Sequence, residues 1–485
     1  MKANQWYDKL QTIWQSPRYV RIGLGVVAVC LLLIVLNRAL LPNLTRSHQH
    51  TTKLSFVLTN DEAEKWRSLI DEFEATHPNI DIDLVNLRDS EAIKPQDPRA
   101  FKQQYIDSFK SQKKQVYDLV FMDIIWVPEF AENQWIQALP LSPNDPELKK
   151  FISVDVKGGI YKNKLYRMPV RSDIGWLYYR SDLLAEAGLK PPETFEELSD
   201  ISRKLQDSPQ LKAKGLQWGY LWQGRQAEAI VAMFVEVLHG YGGFWIKPET
   251  SEVGLDRPEA IAAVEFLHDT MFGDKPISPK TLTTFREDET LKPFLEGNAV
   301  FLRNWSNVLP KANLEESTNE ESTNSEIRNE IRNKVGVKQM VHAGGASAGC
   351  QGGWGLGIAK KTQHFSEAWQ AVQFFSSAAA QRKLFLAGTN GLPTRRELFK
   401  DPQLVKRYSY YPAFLKLLEN PTSVVFRPAI PQYDRATCVL QKYLHTALTQ
   451  KHSDIKQKMK DAARDTRILL KTMDGIPEQN DCFSK

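Results

Sequence analysis

Residues 53–85 read KLSFVLTNDEAEKWRSLIDEFEATHPNIDIDLV. Apolar residues alternate over 53–59, the pattern of a strand with one covered face. Thr59 and Glu62 then stand three apart, the spacing of a capping box in which each side chain satisfies an orphan amide of a new helix. Trp66, Leu69, Ile70 and Phe73 recur at helical spacing and mark that helix's buried face. Pro78 stops it, and Ile80, Ile82 and Leu84 return to strand alternation. The stretch is therefore a β-α-β opening. An amphipathic run over 101–109 leads to Tyr117-Asp118-Leu119-Val120-Phe121-Met122-Asp123, whose apolar middle implies burial on both faces of a parallel sheet. That strand ends on Asp123, and ligand sites in open α/β sheets gather at the carboxyl ends of strands.

Further on, residues 165–170 and 175–179 read as strands on either side of Arg171-Ser172-Asp173, and Thr194 with Glu197 forms a second capping box. Helical periodicity returns near 227–238, 258–272, 366–386, 436–448 and 453–473. Alternating strands and helices make this an α/β protein. One segment, 313–333, stands apart: EESTN occurs at 315–319 and again at 320–324, and EIRN at 326–329 and again at 330–333. A polar duplication of this kind buries nothing, which predicts an exposed, mobile insertion.

About 430 residues follow position 53, more than one hydrophobic core usually organises, so two lobes are expected. Upstream, residues 22–41 are apolar but for Asn37 and Arg38, about the length a helix needs to span a bilayer. No small-x-small cleavage pattern follows the run, and Cys30 sits in its middle behind bulky Val29, which fits neither a cleaved signal nor a lipoprotein. The expectation is a transmembrane anchor at 22–41, a cytoplasmic leader at 1–21 and a linker at 42–53. Lys2, Lys9, Arg18 and Arg21 precede the run, against Arg38, Arg46 and Lys53 after it, a bias that places the large domain outside the cell membrane, on the periplasmic side. The net charge of +5 is scattered rather than striped and gives no nucleic-acid footprint. Cys350, Cys438 and Cys482 show no CxxC or metal spacing; a disulfide among them is possible, with its pairing open.

The residues able to carry chemistry are the acids Asp123, Asp173 and Glu228, the aromatics Trp126, Trp222, Trp305 and Trp354, and the glycine-rich run 352–357. Aromatic faces accept the C–H faces of a pyranose, and carboxylates accept several hydroxyl hydrogen bonds at once. Taken singly, each tryptophan is more often core and each aspartate more often a cap. The run GGWGLG is a loose GxGxxG that leads into a strand instead of opening a helix, which argues against a dinucleotide site. The sequence carries no P-loop, no GxSxG elbow and no HExxH, and His239, His268 and His342 lack partners at metal spacing, so neither cofactor nor metal is expected.

Read in order, NDEAEKW at 60–66, YDLVFMDIIWVPEFAENQWIQAL at 117–139, KLYRMPVRSDIGWLYYRSDLL at 164–184, PPETFEEL at 191–198, WQGRQAEA at 222–229, FLRNW at 301–305, GGWGLGIAK at 352–360, GLPTRRELF at 391–399 and FRPAIPQY at 426–433 resemble an extracellular solute-binding protein of a carbohydrate ABC transporter. The resemblance runs from residue 54 nearly to the end and is strongest to the trehalose/maltose and glucoside-binding branch, including the glucosylglycerol type. It implies a two-lobed periplasmic-binding-protein fold with a hinge of crossing strands, near 171–175, 343–352 and 392–396. One lobe would comprise 54–172 plus about 346–392, the other 173–345 plus about 393–475. It also implies a sugar ligand, a disaccharide or small glucoside, held in the cleft and presented to permease subunits. By position, Glu62, Asp123, Asp173 and Glu228 match that branch's sugar-binding acids, Trp305 and Trp354 its stacking rings, Gly352 and Gly353 its backbone contacts, and Arg427 and Tyr433 its late polar contacts.

Two positions depart from the branch. Lys102 stands where an arginine is expected and Arg171 where a tyrosine is expected, which trades a planar fork for a point charge and a stacking face for a cation. Both changes point to a ligand smaller or more polar than trehalose. The resemblance implies binding without catalysis. The rival readings are a glycoside hydrolase, with Asp123 and Asp173 as acid and base, and a membrane-anchored sugar sensor.

Overall fold

A computed structural model of the chain describes residues 51–58, 60–86, 98–111, 117–306, 308, 331 and 333–471. The leader, the apolar run 22–41, most of the linker, Thr59 of the first capping box, Cys482 and nearly all of the 313–333 duplication lie outside the described residues. Ile331, at the end of that duplication, is 2% exposed, so this part of a segment expected to bury nothing is anchored in the interior. Among the described residues no helix is long and apolar enough to cross a membrane.

The chain divides into a small unit, whose described part is residues 51–52 with His77–Asp81, and a large one holding the rest. In the small unit Thr52 N–H donates to the Asn79 carbonyl at 2.8 Å and Ile80 N–H to the His77 carbonyl at 2.9 Å.

Among the described residues sixteen strands appear in order: β1 Thr52–Leu58, β2 Ile80–Asn86, β3 Leu119–Asp123, β4 Ile136–Gln137, β5 Ile160–Tyr161, β6 Lys164–Leu165, β7 Met168–Ile174, β8 Trp176–Arg180, β9 Trp218–Leu221, β10 Ile246–Lys247, β11 Glu252–Val253, β12 Ala299–Asn304, β13 Val335–Lys338, β14 Gly349–Ala359, β15 Leu392–Pro393 and β16 Val424–Val425. One sheet runs β15-β7-β14-β3-β1-β2, with β4 and β16 also on β14; the other runs β13-β8-β12-β9. The opening unit forms as its pattern requires: the helix Asn60–Thr76 buries Trp66, Leu69, Ile70 and Phe73. Trp66 packs edge-on against Phe56 at 5.5 Å and lies 5.3 Å from Phe375, so strand, helix and a distant helix share one aromatic core. The second sheet has its own core, in which Trp176, Tyr178, Leu221 and Phe301 meet the helices Phe195–Gln206, Glu228–Gly240, Pro258–Phe272, Tyr433–Thr449 and Ile455–Lys471. The Thr194 capping box is present, with Glu197 N–H donating to the Thr194 hydroxyl at 3.1 Å.

Three sequence expectations change. Arg171-Ser172-Asp173 lies inside β7 rather than between strands, because β14 pairs with it on one side and β15 on the other, supplying partners that a local pattern does not contain. β3 is buried as expected and parallel to β1, but its other neighbour, β14, is antiparallel, so the sheet is mixed. The helix expected over 366–386 is two, Phe365–Phe375 and Ala378–Leu386, because Ser377 caps the second by accepting from Ala380 N–H at 3.2 Å. Cys350 is a free, buried thiol, while Cys438 is disulfide-bonded.

The two sheets join where β7 ends and β8 begins, with Gly175 between them. A buried ion pair fills the space where a side chain on Gly175 would stand: Arg303 Nε and Nη2 donate to Glu236 at 2.7 and 2.5 Å, and both side chains are wholly buried. Cys350 N–H, at the entry of β14, donates to the same carboxylate at 2.9 Å. Gln223 accepts from Arg303 Nη1 at 3.1 Å. A β-carbon at 175 would collide with the Glu236 carboxylate, so glycine is required here for space. Gly175→Ala is expected to lower the unfolding free energy by about 1–3 kcal/mol through overpacking. Arg303→Met, which strands a buried carboxylate, should cost about 3–5 kcal/mol. Urea midpoints measure both, and a wild-type midpoint for Arg303→Met would mean the pair holds nothing together.

Candidate functional site

Register places several of the expected residues in one row. Trp354 on β14 pairs with Asp123 on β3 and with Arg171 on β7, and Gly352 pairs with Asp173. Gly353 adopts a φ of 126° and approaches the Arg171 carbonyl so closely that a β-carbon would lie 2.7 Å from it. The glycine run is thus an adaptation of β14, a central strand of the first sheet, not a phosphate loop.

Glu62, in the first turn of its helix, receives Arg171 Nη1 at 2.5 Å and Trp66 Nε1 at 3.3 Å. The Arg171 guanidinium also lies 5.6 Å from the Trp354 ring centre. Phe121 stacks on Trp354 at 5.3 Å and Trp126 meets it edge-on at 5.2 Å, so this indole belongs to an aromatic cluster. Asp123 ends β3 and caps the short turn Ile124–Trp126 by accepting from Ile125 N–H at 3.2 Å.

Asp173 reaches across to the other sheet, accepting from Ser306 N–H at 2.9 Å as well as from its neighbour Ile174 at 3.1 Å. Burial pushes its carboxyl above the usual carboxylate range, against the pull of those amides and of Arg171. Trp305, one residue past β12, donates Nε1 to Glu287 at 3.0 Å and has the Arg303 guanidinium 4.4 Å from its ring centre. A β-carbon on Gly352 would sit 3.4 Å from this indole, so the glycine lets the ring lie close to β14. Trp222, by contrast, is wholly buried and donates to Thr270 at 3.1 Å, and Trp126 is also core.

Glu228 opens the helix Glu228–Gly240 and gathers Arg427 Nη1 at 2.8 Å, the Tyr433 hydroxyl, Thr437 at 2.9 Å and Gln441 at 3.4 Å. Arg427 also donates to the Gln351 carbonyl at 3.3 Å and lies 3.9 Å from Asp123. Lys102 is 3% exposed, with its ammonium 2.5 Å from Glu129 and 2.5 Å from Asp434. Sequence reasoning did not single out Ser306, Glu287, Thr437, Gln441, Glu129 or Asp434. Ser306 follows the FLRNW motif directly, and the others carry no local signal because their partners are distant in the chain.

A cavity of about 920 Å³ lies near this cluster, with apolar Ile124, Phe151 and Phe426 and polar Asp145, Lys157 and Gln351 in its wall; it shares only Arg427 with the expected set. Among the described residues no cluster of His, Cys, Asp or Glu could hold a metal ion.

Residues 59–382 match the model of the bacterial extracellular solute-binding protein family. A probable ABC transporter-binding protein of Deinococcus radiodurans is 26% identical over 341 residues, covering 69% of this chain and 76% of that one. The maltose-bound structure of T. maritima MalE3 superposes with a TM-score of 0.70 at 27% identity, over 86% of this chain and 99% of the other. The GacH receptor of Streptomyces glaucescens, solved unliganded and with acarbose, shares the fold, with a TM-score of 0.67, 19% identity and coverage of 87% and 99%.

Behind the site, Asp155 is fully buried and accepts from Gln351 Nε2 at 2.8 Å. Burial pushes its carboxyl up to about 7, against about 3.9 in an unfolded chain. The fold therefore favours the protonated form, and stability is lost as pH rises through this window. The Tm of the wild type minus that of Asp155→Asn, whose side chain stays neutral, is expected to fall between about pH 4 and about pH 7 and to level off beyond either end. A difference that stays flat across that range would show that Asp155 does not titrate as its burial requires.

Proposed function

Because the chain belongs to the bacterial extracellular solute-binding protein family, we propose that it captures a disaccharide or small glucoside between its lobes and presents it to the permease of an ABC sugar importer. The observation that carries this reading is the convergence, at the junction of the two sheets, of acids and indoles contributed from both sides. Glu62, Asp123, Arg171, Asp173, Gly352, Gly353 and Trp354 come from the first sheet and its helices, and Trp305 and Glu228 from the second. Arg427 and Tyr433 sit where the chain leaves β16 for the helix Tyr433–Thr449. A ligand touching both sides stabilises the closed form more than the open one, which is the only way binding can drive closure. Micromolar affinity needs about 8 kcal/mol, which stacking and a few charge-assisted hydrogen bonds supply after ordering costs.

Arg171 bears on the choice of sugar. Its guanidinium lies toward Trp354 and is tied to Glu62, so it narrows the space over that indole and offers a polar edge. This favours a ligand smaller or more polar than trehalose, such as a glucoside of a short polyol. The neighbours' own ligands, maltose for MalE3 and acarbose for GacH, support a carbohydrate without fixing which. The apolar run 22–41 serves in this proposal as a membrane anchor that keeps the binding domain on the periplasmic side, close to its permease.

Thermal-shift measurements on the detergent-solubilised chain against disaccharides, glucosylglycerol and related glucosides are expected to find at least one that raises the midpoint by linkage. Trp305→Ala should weaken that ligand roughly tenfold, about 1.4 kcal/mol of lost stacking. Arg171→Tyr should shift preference toward trehalose. A flat response to every sugar would reject the binding reading, and trehalose binding most tightly to the wild type would reject the role given to Arg171.

A further inference from the structure

Lys102 lies on the helix Pro98–Lys110, beside the first sheet. Its two carboxylate partners belong to different parts of the molecule. Glu129 sits on the helix Val127–Glu132, which follows β3 and stays with the first sheet. Asp434 sits in the first turn of Tyr433–Thr449, a helix packed on Glu228–Gly240 and Pro258–Phe272 over the second sheet. A single ammonium, 2.5 Å from each, therefore spans the two lobes.

The three groups are unequal. The Lys102 side chain is 4% exposed and Glu129 16%, whereas Asp434 is 51% exposed. Burial pushes the Glu129 carboxyl up, Lys102 opposes that shift and Asp434 adds to it, so Glu129, on the same side of the molecule as Lys102, depends on the cation. Asp434 does not, since water solvates it readily when it is released. Opening the lobes thus leaves Lys102 with Glu129 and gives up only the Asp434 contact. The pair is built to make and break at modest cost, as a bistable contact must be.

We propose that Lys102 and Asp434 form an interlobe clasp that sets how much of the sugar-free protein is already closed, and that Lys102 acts on affinity through this contact instead of by touching ligand. Apparent affinity scales with the fraction of protein in the binding-competent state, so the clasp adjusts binding without any contact to sugar. The inference rests on the two-lobed architecture and not on the identity of the sugar.

The test uses no ligand. Spin labels at Asp71→Cys on Asn60–Thr76 and Lys204→Cys on Phe195–Gln206, both exposed positions, report the interlobe distance in the full chain by pulsed electron resonance. Asp434→Asn, at a half-exposed site, keeps the fold and is expected to raise the longer-distance population severalfold, whereas Glu129→Gln, which leaves Lys102 without its partner in the open form, does not raise it. Raising salt should open the wild type and leave Asp434→Asn unmoved, because screening acts on a contact the variant lacks. Identical distributions for wild type and Asp434→Asn, or opening in Glu129→Gln as large as in Asp434→Asn, would overturn the clasp. Lys102→Met, which strands Glu129, serves as a second variant if its melting curve shows it folded, and it must open the lobes as Asp434→Asn does.

Discussion

The bidentate pair between Arg303 and Glu236 is the contact around which the two sheets are organised. Both side chains are removed from water, a cost of several kcal/mol per ion that only near-ideal geometry and complete hydrogen bonding can offset. The offset is visible: two charge-assisted bonds between the ions, a third from Cys350 N–H, and the Gln223 amide, which accepts from Arg303 Nη1 and donates to the Arg303 carbonyl at 2.8 Å. Glu236 comes from a helix, Arg303 from β12 and Cys350 from β14; the first two crowd against Gly175, whose N–H donates to the Cys350 carbonyl at 3.2 Å. The pair therefore fixes four segments, far apart in sequence, at the place where the chain passes from one sheet to the other. Arg303 extends its influence to the candidate site, since its guanidinium also lies over the Trp305 indole.

How far the fold was legible depends on whether a segment's partners are local. The helix Asn60–Thr76 was readable because Trp66, Leu69, Ile70 and Phe73 encode its buried face within one stretch. β7 was not, because Arg171 and Asp173 look like a break to a reader of alternation, and the strand exists through pairing with β14 and β15, more than 170 and 210 residues later. Chain length alone implied two lobes, but the solute-binding family was accessible only through motifs taken in order. The site divides in the same way. Its acids and indoles could be named one by one, but nothing near Lys102 announces Asp434, and nothing near Trp305 announces Glu287.

Position alone also overstated how similar the named acids are. A carboxylate has about four acceptor sites, and Glu228 meets four donors, two on each oxygen. It could accept a sugar hydroxyl only by giving one of these up, so its evident work is to hold Arg427 and Tyr433 in place. Asp173 differs: its two amide donors, from Ser306 and Ile174, both meet Oδ1. In the proposed capture it is the acid that both bridges the sheets and keeps an oxygen for the ligand.

The two indoles differ for a related reason. Trp354 is wedged among Phe121, Trp126 and Arg171, so its ring is committed to the first sheet's own packing. Trp305 is held from behind by Glu287 and Arg303 and stands close over Gly352, on the opposite strand of the junction. An aromatic face that travels with one lobe and meets the other's backbone gains contact area as the lobes approach, whereas a ring packed within one lobe gains little. In the proposed capture, stacking on Trp305 is thereby coupled to closure in a way that stacking on Trp354 is not. On that reading a sugar that engages both would bind and close in one step, while one that reaches only Trp354 would bind without the energy that shifts the lobes.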